Sequence, residues 1–323
     1  MTDVDPDFAG PSRDKAAEIA LVDDAAIEAA VDRVIEAAVR QRTKEVNSDL
    51  GASGIPGPYP DDMFPTEADY QWVRTWFTPF YDRDPTLVTG MAASLAGAKG
   101  ALNSGRATVV ANASSAVEQW AGATRDDFKT YFLDPFPNAV ANQKVVVDEL
   151  CVVLAGYEAV LRQGRRDAEK IADDTAKVLD SLDDCTSAEV LVVLGIITAA
   201  TTVIGAIPAA GAALGLGGSM ALIRGGAQFG AAGVESARIK GDTVEGVLQS
   251  MVDGCKALQD TMDGVEQGLA DALSESGEAV GRVLSAGNPL DVTALLPHEP
   301  NGDGVTDVTD GDRPGSEEWR GRR

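Results

Sequence analysis

At 323 residues the chain is long enough to bury a sizeable core, in one elongated domain or two compact ones. Its net charge of −24 excludes a nucleic-acid partner, since a phosphate backbone would be repelled, and offers anionic lipid no electrostatic attraction. An Ala- and Gly-rich composition with 5% aromatics, and few stretches that alternate apolar and polar residues, predicts an all-α fold with little or no strand.

Met1 to Pro11 is acidic and polar, with no basic stretch ahead of an apolar run. A general secretory signal peptide is therefore not expected, and residues 1–13 read as disordered. Residues 14–46 read as a first helix, because Ile27, Val31, Val34 and Ala38 fall on one face at 4-3-4 spacing. From Asn47 to Pro65, Gly51, Gly54, Pro56, Gly57, Pro58 and Pro60 punctuate a linker. The aromatic stretch Tyr70 to Tyr81 completes an N-terminal region over 14–84. Trp72 and Trp76 are four apart and share a face on an α-helix. They suit packing against a bundle, a partner-facing patch, or a ligand platform.

Residues 86–119 predict a helix poor in bulky side chains. Gly90, Gly97, Gly100 and Gly105 each cost roughly 1 kcal/mol of helix propensity against Ala, but they let a neighbouring helix approach closely. Trp120-Ala121-Gly122 then reads as a turn. Gly122 can take a positive φ without steric cost, and Trp120 supplies a large apolar wedge with one N–H donor. Thr124 is the expected N-cap of the next helix, with Asp126 and Asp127 in its first turn and Phe128, Tyr131 and Phe132 on an apolar face.

After the break Asp134-Pro135-Phe136-Pro137, residues 138–183 carry apolar or small residues at alternating spacings of 3 and 4, including Leu154, Leu161, Gly164, Ala168, Ile171 and Val178. Residues 242–285 repeat the pattern through Val244, Leu248, Met251, Cys255, Leu258, Met262, Val265 and Leu269. Seams of this period pack knobs into holes. Two such helices, each about 65–70 Å long, are most economically an antiparallel pair.

Between them lies a run, Val190 to Ile223, without a single charged residue. Pro208 divides it into halves at or below the roughly 17–25 residues that span a bilayer as a helix. Gly211/Gly215 and Gly226/Gly230 are small-xxx-small pairs. Three arrangements fit: a soluble apolar hairpin folded on the bundle, a segment that inserts after a conformational change, and a constitutive two-helix membrane hairpin. Val190, Val193, Ile197, Val203 and Ile207 are the candidate membrane-inserting residues.

From Gly287 the chain is an acidic, Pro-containing tail that reads as disordered. Within it Glu299, Asn301, Asp303, Asp307 and Asp310 fall at the oxygen-ligand positions of a calcium loop, with Gly304 at the sharp turn. That spacing resembles dockerin-type or thrombospondin-type repeats and implies weak Ca²⁺ binding in an extracellular setting. An acidic linker is the alternative. Cys151, Cys185 and Cys255 lack Cys-x-x-Cys spacing and read as small buried residues.

From about Pro85 to Leu182 the chain resembles the WXG family of small helical-hairpin proteins exported by type VII (ESX) secretion systems. The residues that carry the likeness are Trp120-Ala121-Gly122 after the small-residue helix, Asp126-Asp127-Phe128, the Asp134–Pro137 break, and Ile171-Ala172-Asp173 on the long helix. The resemblance implies a helical hairpin in a homo-oligomer or bundle, with Trp120, Gly122 and Phe128 as the secretion and turn motif presented to a secretion ATPase. The family also uses a Tyr-x-x-x-Asp/Glu signal, which this sequence lacks. Four residues after Tyr70, Tyr131 and Tyr157 stand Arg74, Pro135 and Leu161. A helical partner is then expected to carry the missing export motif, unless the protein is not itself exported. Secretion by a non-Sec route or association with the cell surface follows, with a cytoplasmic stage before export.

The order long helix, apolar hairpin, long helix also resembles the haemolysin-E and Hbl-like α-helical pore-forming toxins, which implies a membrane-active protein. A cytoplasmic helical scaffold is the third possibility. Enzymatic activity is not expected. The single histidine, His298, lies in the tail, which leaves the core without a triad or a His general base. No cofactor is expected apart from the possible tail Ca²⁺. The expected organisation is thus 1–13, 14–84, a WXG-like hairpin at 85–186, an apolar hairpin at 187–240, a return helix at 241–286 and a tail at 287–323.

Overall fold

The computed structural model describes residues 10–54, 57–104, 106–134, 136–182, 189–196, 199 and 236–285. The fold is all-α, with two short strands among the described residues. The chain divides into two compact units: Met1–Ala98 with Val146–Ala279, and Lys99–Val145 with Val280–Arg323.

The first unit is organised by three long helices: α2 (Asp24–Ala52), α7 (Phe136–Ser181) from Val146 onward, and α8 (Val244–Ser285) as far as Ala279. The apolar periodicity read from the sequence is the buried face in each. Ile27, Val31, Val34 and Ala38 of α2 are fully buried. So are Leu161, Ala168 and Ile171 of α7, and Val244, Leu248, Met251, Cys255, Leu258 and Met262 of α8.

Close approaches fix the helix directions. Gly164 faces Met262, whereas Ile171, seven residues further along α7, faces Gly254, eight residues back along α8, so these two helices run antiparallel. Arg33 pairs with Asp173 and Arg40 with Asp180, a step of seven on both helices, so α2 and α7 run in the same direction.

The expected first helix is two helices. α1 (Gly10–Glu18) stops before Ile19, and α2 begins anew where Asp23 Oδ1 accepts from Ala26 N at 2.8 Å. The reason is the N-cap itself, since an Asx side chain that satisfies an orphan N–H favours a helix start over a helix interior. Arg165 of α7 holds the break: its buried guanidinium donates to Val22 O at 2.7 Å, to Phe80 O at 3.0 Å and to Asp24.

The aromatic stretch is a 3₁₀ helix, Glu67–Trp76, followed by α3 (Thr78–Tyr81). With three residues per turn, side chains three apart share a face. Tyr70, Val73 and Trp76 therefore turn toward the core, while Trp72 is exposed. The two tryptophans do not form one platform, and Lys256 of α8 lies over the Trp76 ring at 5.1 Å. α4 (Pro85–Ser104) follows, with Val88 and Ala92 buried and Leu95 packed on Cys151 and Val152.

The second correction concerns the ends of the segment 187–240, expected as an apolar hairpin. Where helix was expected, β1 (Glu189–Val193) pairs antiparallel with β2 (Ser236–Lys240), in the register Val190↔Ile239, Leu191↔Arg238, Val192↔Ala237. The ladder has one dry and one wet face. Val192, Ala237 and Ile239 are buried, whereas Leu191, Arg238 and Lys240 are exposed. Gly254 of α8 lets β2 sit close, because a Cβ there would stand 3.2 Å from the Ala237 Cβ.

The second unit contains α5 (Arg106–Val117), α6 (Ala123–Phe128) and a π-helical turn, Lys129–Leu133.

Candidate functional site

Two places have defined geometry, and the first holds residues that the sequence singled out. The first is the Trp120 turn, wholly within the second unit. α5 ends as Trp120 N donates to Val117 O at 3.0 Å. The chain then reverses at Gly122, whose φ of +92° and ψ of −177° lie in a region that essentially only glycine adopts. Gly122, not Thr124, is the N-cap of α6, and Thr124 falls inside the helix. The helix starts earlier than expected because the unusual glycine backbone itself ends the turn, and Arg125 N donates to Gly122 O at 3.1 Å.

The turn carries an aromatic ladder. The Trp120 ring centroid is 5.8 Å from Phe128, Phe128 is 5.0 Å from Phe132 in a stacked pair, and Phe132 is 6.0 Å from Phe136. Spacings of four place Phe128, Phe132 and Phe136 along one side of the helical segment. Burial is incomplete, with Trp120 49% and Tyr131 58% exposed. Two large aromatic side chains are thus held at the surface beside a fixed turn.

The second place is where the chain leaves β1 and crosses α7. Leu194 and Ile196 are buried. Between them Gly195 N donates to Asp167 Oδ2 at 2.7 Å, and Gln163 Nε2 donates to Asp167 Oδ1 at 2.9 Å. The fit is close: a Cβ on Gly195 would come within 2.6 Å of Gln163 Nε2. Asp167 is buried at the head of a polar groove of about 400 Å³. Burial pushes its carboxyl up to about 6, against the opposing pull of the two hydrogen bonds and of Lys170 and Arg166. One turn further on, Ala199 packs with Ile19 on Ala16, Ala155 and Ala159.

The sequence did not single out Asp167. Its signal was position: it lies between Gly164 and Ile171 of the buried seam, where a carboxylate needs partners.

Of the membrane-insertion candidates, Val190 and Val193 belong to β1, and Val190 packs against the core. They are not part of a helical hairpin, because a short β-branched run with a complementary strand completes a ladder there. Ile197, Val203 and Ile207 lie outside the described residues, as do Cys185 and the calcium-loop residues Glu299, Asn301, Asp303, Asp307 and Asp310. Among the described residues no helix is long and apolar enough to cross a membrane, and no group of three or more His, Cys, Asp or Glu side chains could hold a metal ion. Cys151 and Cys255 are buried. No protein-family model, curated protein or solved structure matches the chain.

Proposed function

We propose that the protein is a non-enzymatic substrate or component of a type VII (ESX-like) secretion system that acts through helical assembly. The observation that carries this reading is the Trp120 turn. A tryptophan 49% exposed is held at a glycine-only reversal and backed by Phe128. A tryptophan held in place at the surface is suited to anchor in a partner's pocket. The partner of this surface is a helical protein that brings the Tyr-x-x-x-Asp/Glu motif, and the secretion ATPase is the further partner if the chain is exported.

Secretion of the Trp120→Ala variant from a host with an active type VII system tests the reading. Export or partner assembly is expected to fail while helical content by circular dichroism stays near wild type. Undiminished export and assembly of this variant would overturn it.

A second reading, membrane insertion of the uncharged run, draws support from the β1–β2 ladder, which sets Val193, near the start of that run, beside Ser236, downstream of its end. It predicts leakage from neutral liposomes that is lost when a charge is placed at Val193 or Ile197. Absence of leakage under every activating condition would remove it.

A further inference from the structure

We propose that the contact between Asp167 and the Gly195 N–H is an acid-tightened latch, which holds the chain leaving β1 more firmly on α7 at pH 5 than at neutral pH.

The argument begins with geometry. A buried carboxylate accepts one hydrogen bond from its own helix, through Gln163, and one from the crossing chain, through Gly195. Leu194 and Ile196 on either side are buried, so the latch closes only when both enter the core together. The absence of a side chain at position 195 is what allows Gln163 to lie against the backbone.

The charged surroundings set the sign. Arg166 and Lys170 of α7 favour the carboxylate. Glu169, Asp173, Asp174 and Lys177 line the same groove, and Arg33 of α2 reaches it through its pair with Asp173. Residues Leu194 to Ile196, packed over Asp167, bring no titratable group. Burial outweighs the two basic neighbours and raises the carboxyl. If the crossing chain lifts away, water reaches Asp167 and its affinity for a proton returns toward the ordinary carboxylate value. Protonation therefore favours the closed state. A protonated Asp167 can still accept from Gly195 N through its carbonyl oxygen, so acid removes the burial penalty without removing the acceptor.

With a closed-state pKa of about 6 and an ordinary value of 3.8, the closing equilibrium gains about tenfold between pH 7.5 and pH 5. The latch does not depend on whether the protein is exported.

Hydrogen exchange of the Gly195 amide in the full chain tests this, measured at both pH values and corrected for intrinsic exchange, with amides of α8 as internal reference. The wild type is expected to gain about tenfold in relative protection at pH 5, whereas Asp167→Asn is expected to show the same protection at both pH values. Gly195→Ala, which forces Gln163 away, is expected to lose protection at both. Equal wild-type protection at the two pH values would overturn the proposal, and so would an unaltered pH response in Asp167→Asn.

Discussion

Asp167 and Gly195 lie 28 residues apart in sequence and meet at 2.7 Å, a buried carboxylate bonded to a backbone N–H. The cost of that burial predicts the pH dependence of global stability. The carboxyl is raised above its unfolded value of 3.8 to about 6. Above pH 6 the folded protein bears the full burial cost of the ionised group. As the pH falls from 6 toward 3.8, the folded state binds a proton that the unfolded chain does not yet bind, and stability rises. Below 3.8 both states are protonated and the gain is complete. Asp167→Asn should therefore raise stability at pH 7.5 by roughly 2–3 kcal/mol and flatten this part of the profile. Urea unfolding of both proteins at pH 7.5 and pH 4 measures it. A variant less stable than wild type at pH 7.5 would mean that hydrogen bonding to the charged form outweighs burial.

Arg165 should be irreplaceable by lysine. Its fork spans the carbonyls of Val22 and Phe80 as well as Asp24, whereas an ammonium on a flexible stem cannot reach all three. Arg165→Lys is expected to lose roughly 2–4 kcal/mol, because buried acceptors are left unpaired. Chemical denaturation gives the number, and a loss below about 0.5 kcal/mol would show that water replaces the fork at no cost.

Two glycines make a contrasting pair. At Gly241 an added Cβ would stand 2.6 Å from the backbone nitrogen of Val247, whereas at Gly164 it would meet the Met262 sulfur at 2.5 Å. Backbone at the start of a long helix cannot give way, but a thioether can rotate. Gly241→Ala should cost roughly 2 kcal/mol or more, and Gly164→Ala about 1 kcal/mol. Combining Gly164→Ala with Met262→Ala should show a favourable coupling in a double-mutant cycle. Additive costs would contradict the close approach of α7 and α8.

Gly122 distinguishes two kinds of positive φ. Left-handed helical positions accept asparagine, but a ψ of −177° places Gly122 elsewhere. Gly122→Asn and Gly122→Ala are thus expected to be equally harmful, each by roughly 1–3 kcal/mol. Thermal melts of the two variants compare them, and a clear advantage for asparagine would refute the assignment.

The long elements were legible because their residues repeat one message. Every apolar seam position of α8 from Val244 to Leu269 named above is buried. The rest depended on information that local patterns do not carry. α1 ends at Glu18 and Asp23 caps the start of α2, within a stretch that reads as one helix. Trp72 and Trp76 fall on different faces because that stretch is 3₁₀, a choice that their spacing of four does not announce. β1 looked like the start of an apolar helix, since its partner β2 lies more than 40 residues away in sequence. Asp167 looked like one more surface carboxylate, because the chain that buries it arrives from β1. At the Trp120 turn the reversal at Gly122 was readable from the residue itself, whereas the cap position depended on a ψ that no motif specifies.

The pairing of Val193 with Ser236 has a consequence for how this sequence can vary. Once a ladder joins two points of a chain, a change in the number of residues between them is felt at those points through the entropy of closing a loop. Doubling its length costs only about 0.6 kcal/mol. The helices before and after are therefore nearly blind to how many residues are spliced in between. Residues added after Ala199 need not rewrite the fold, whereas Leu194 to Ile196 belong to its core and are not exchangeable in the same way.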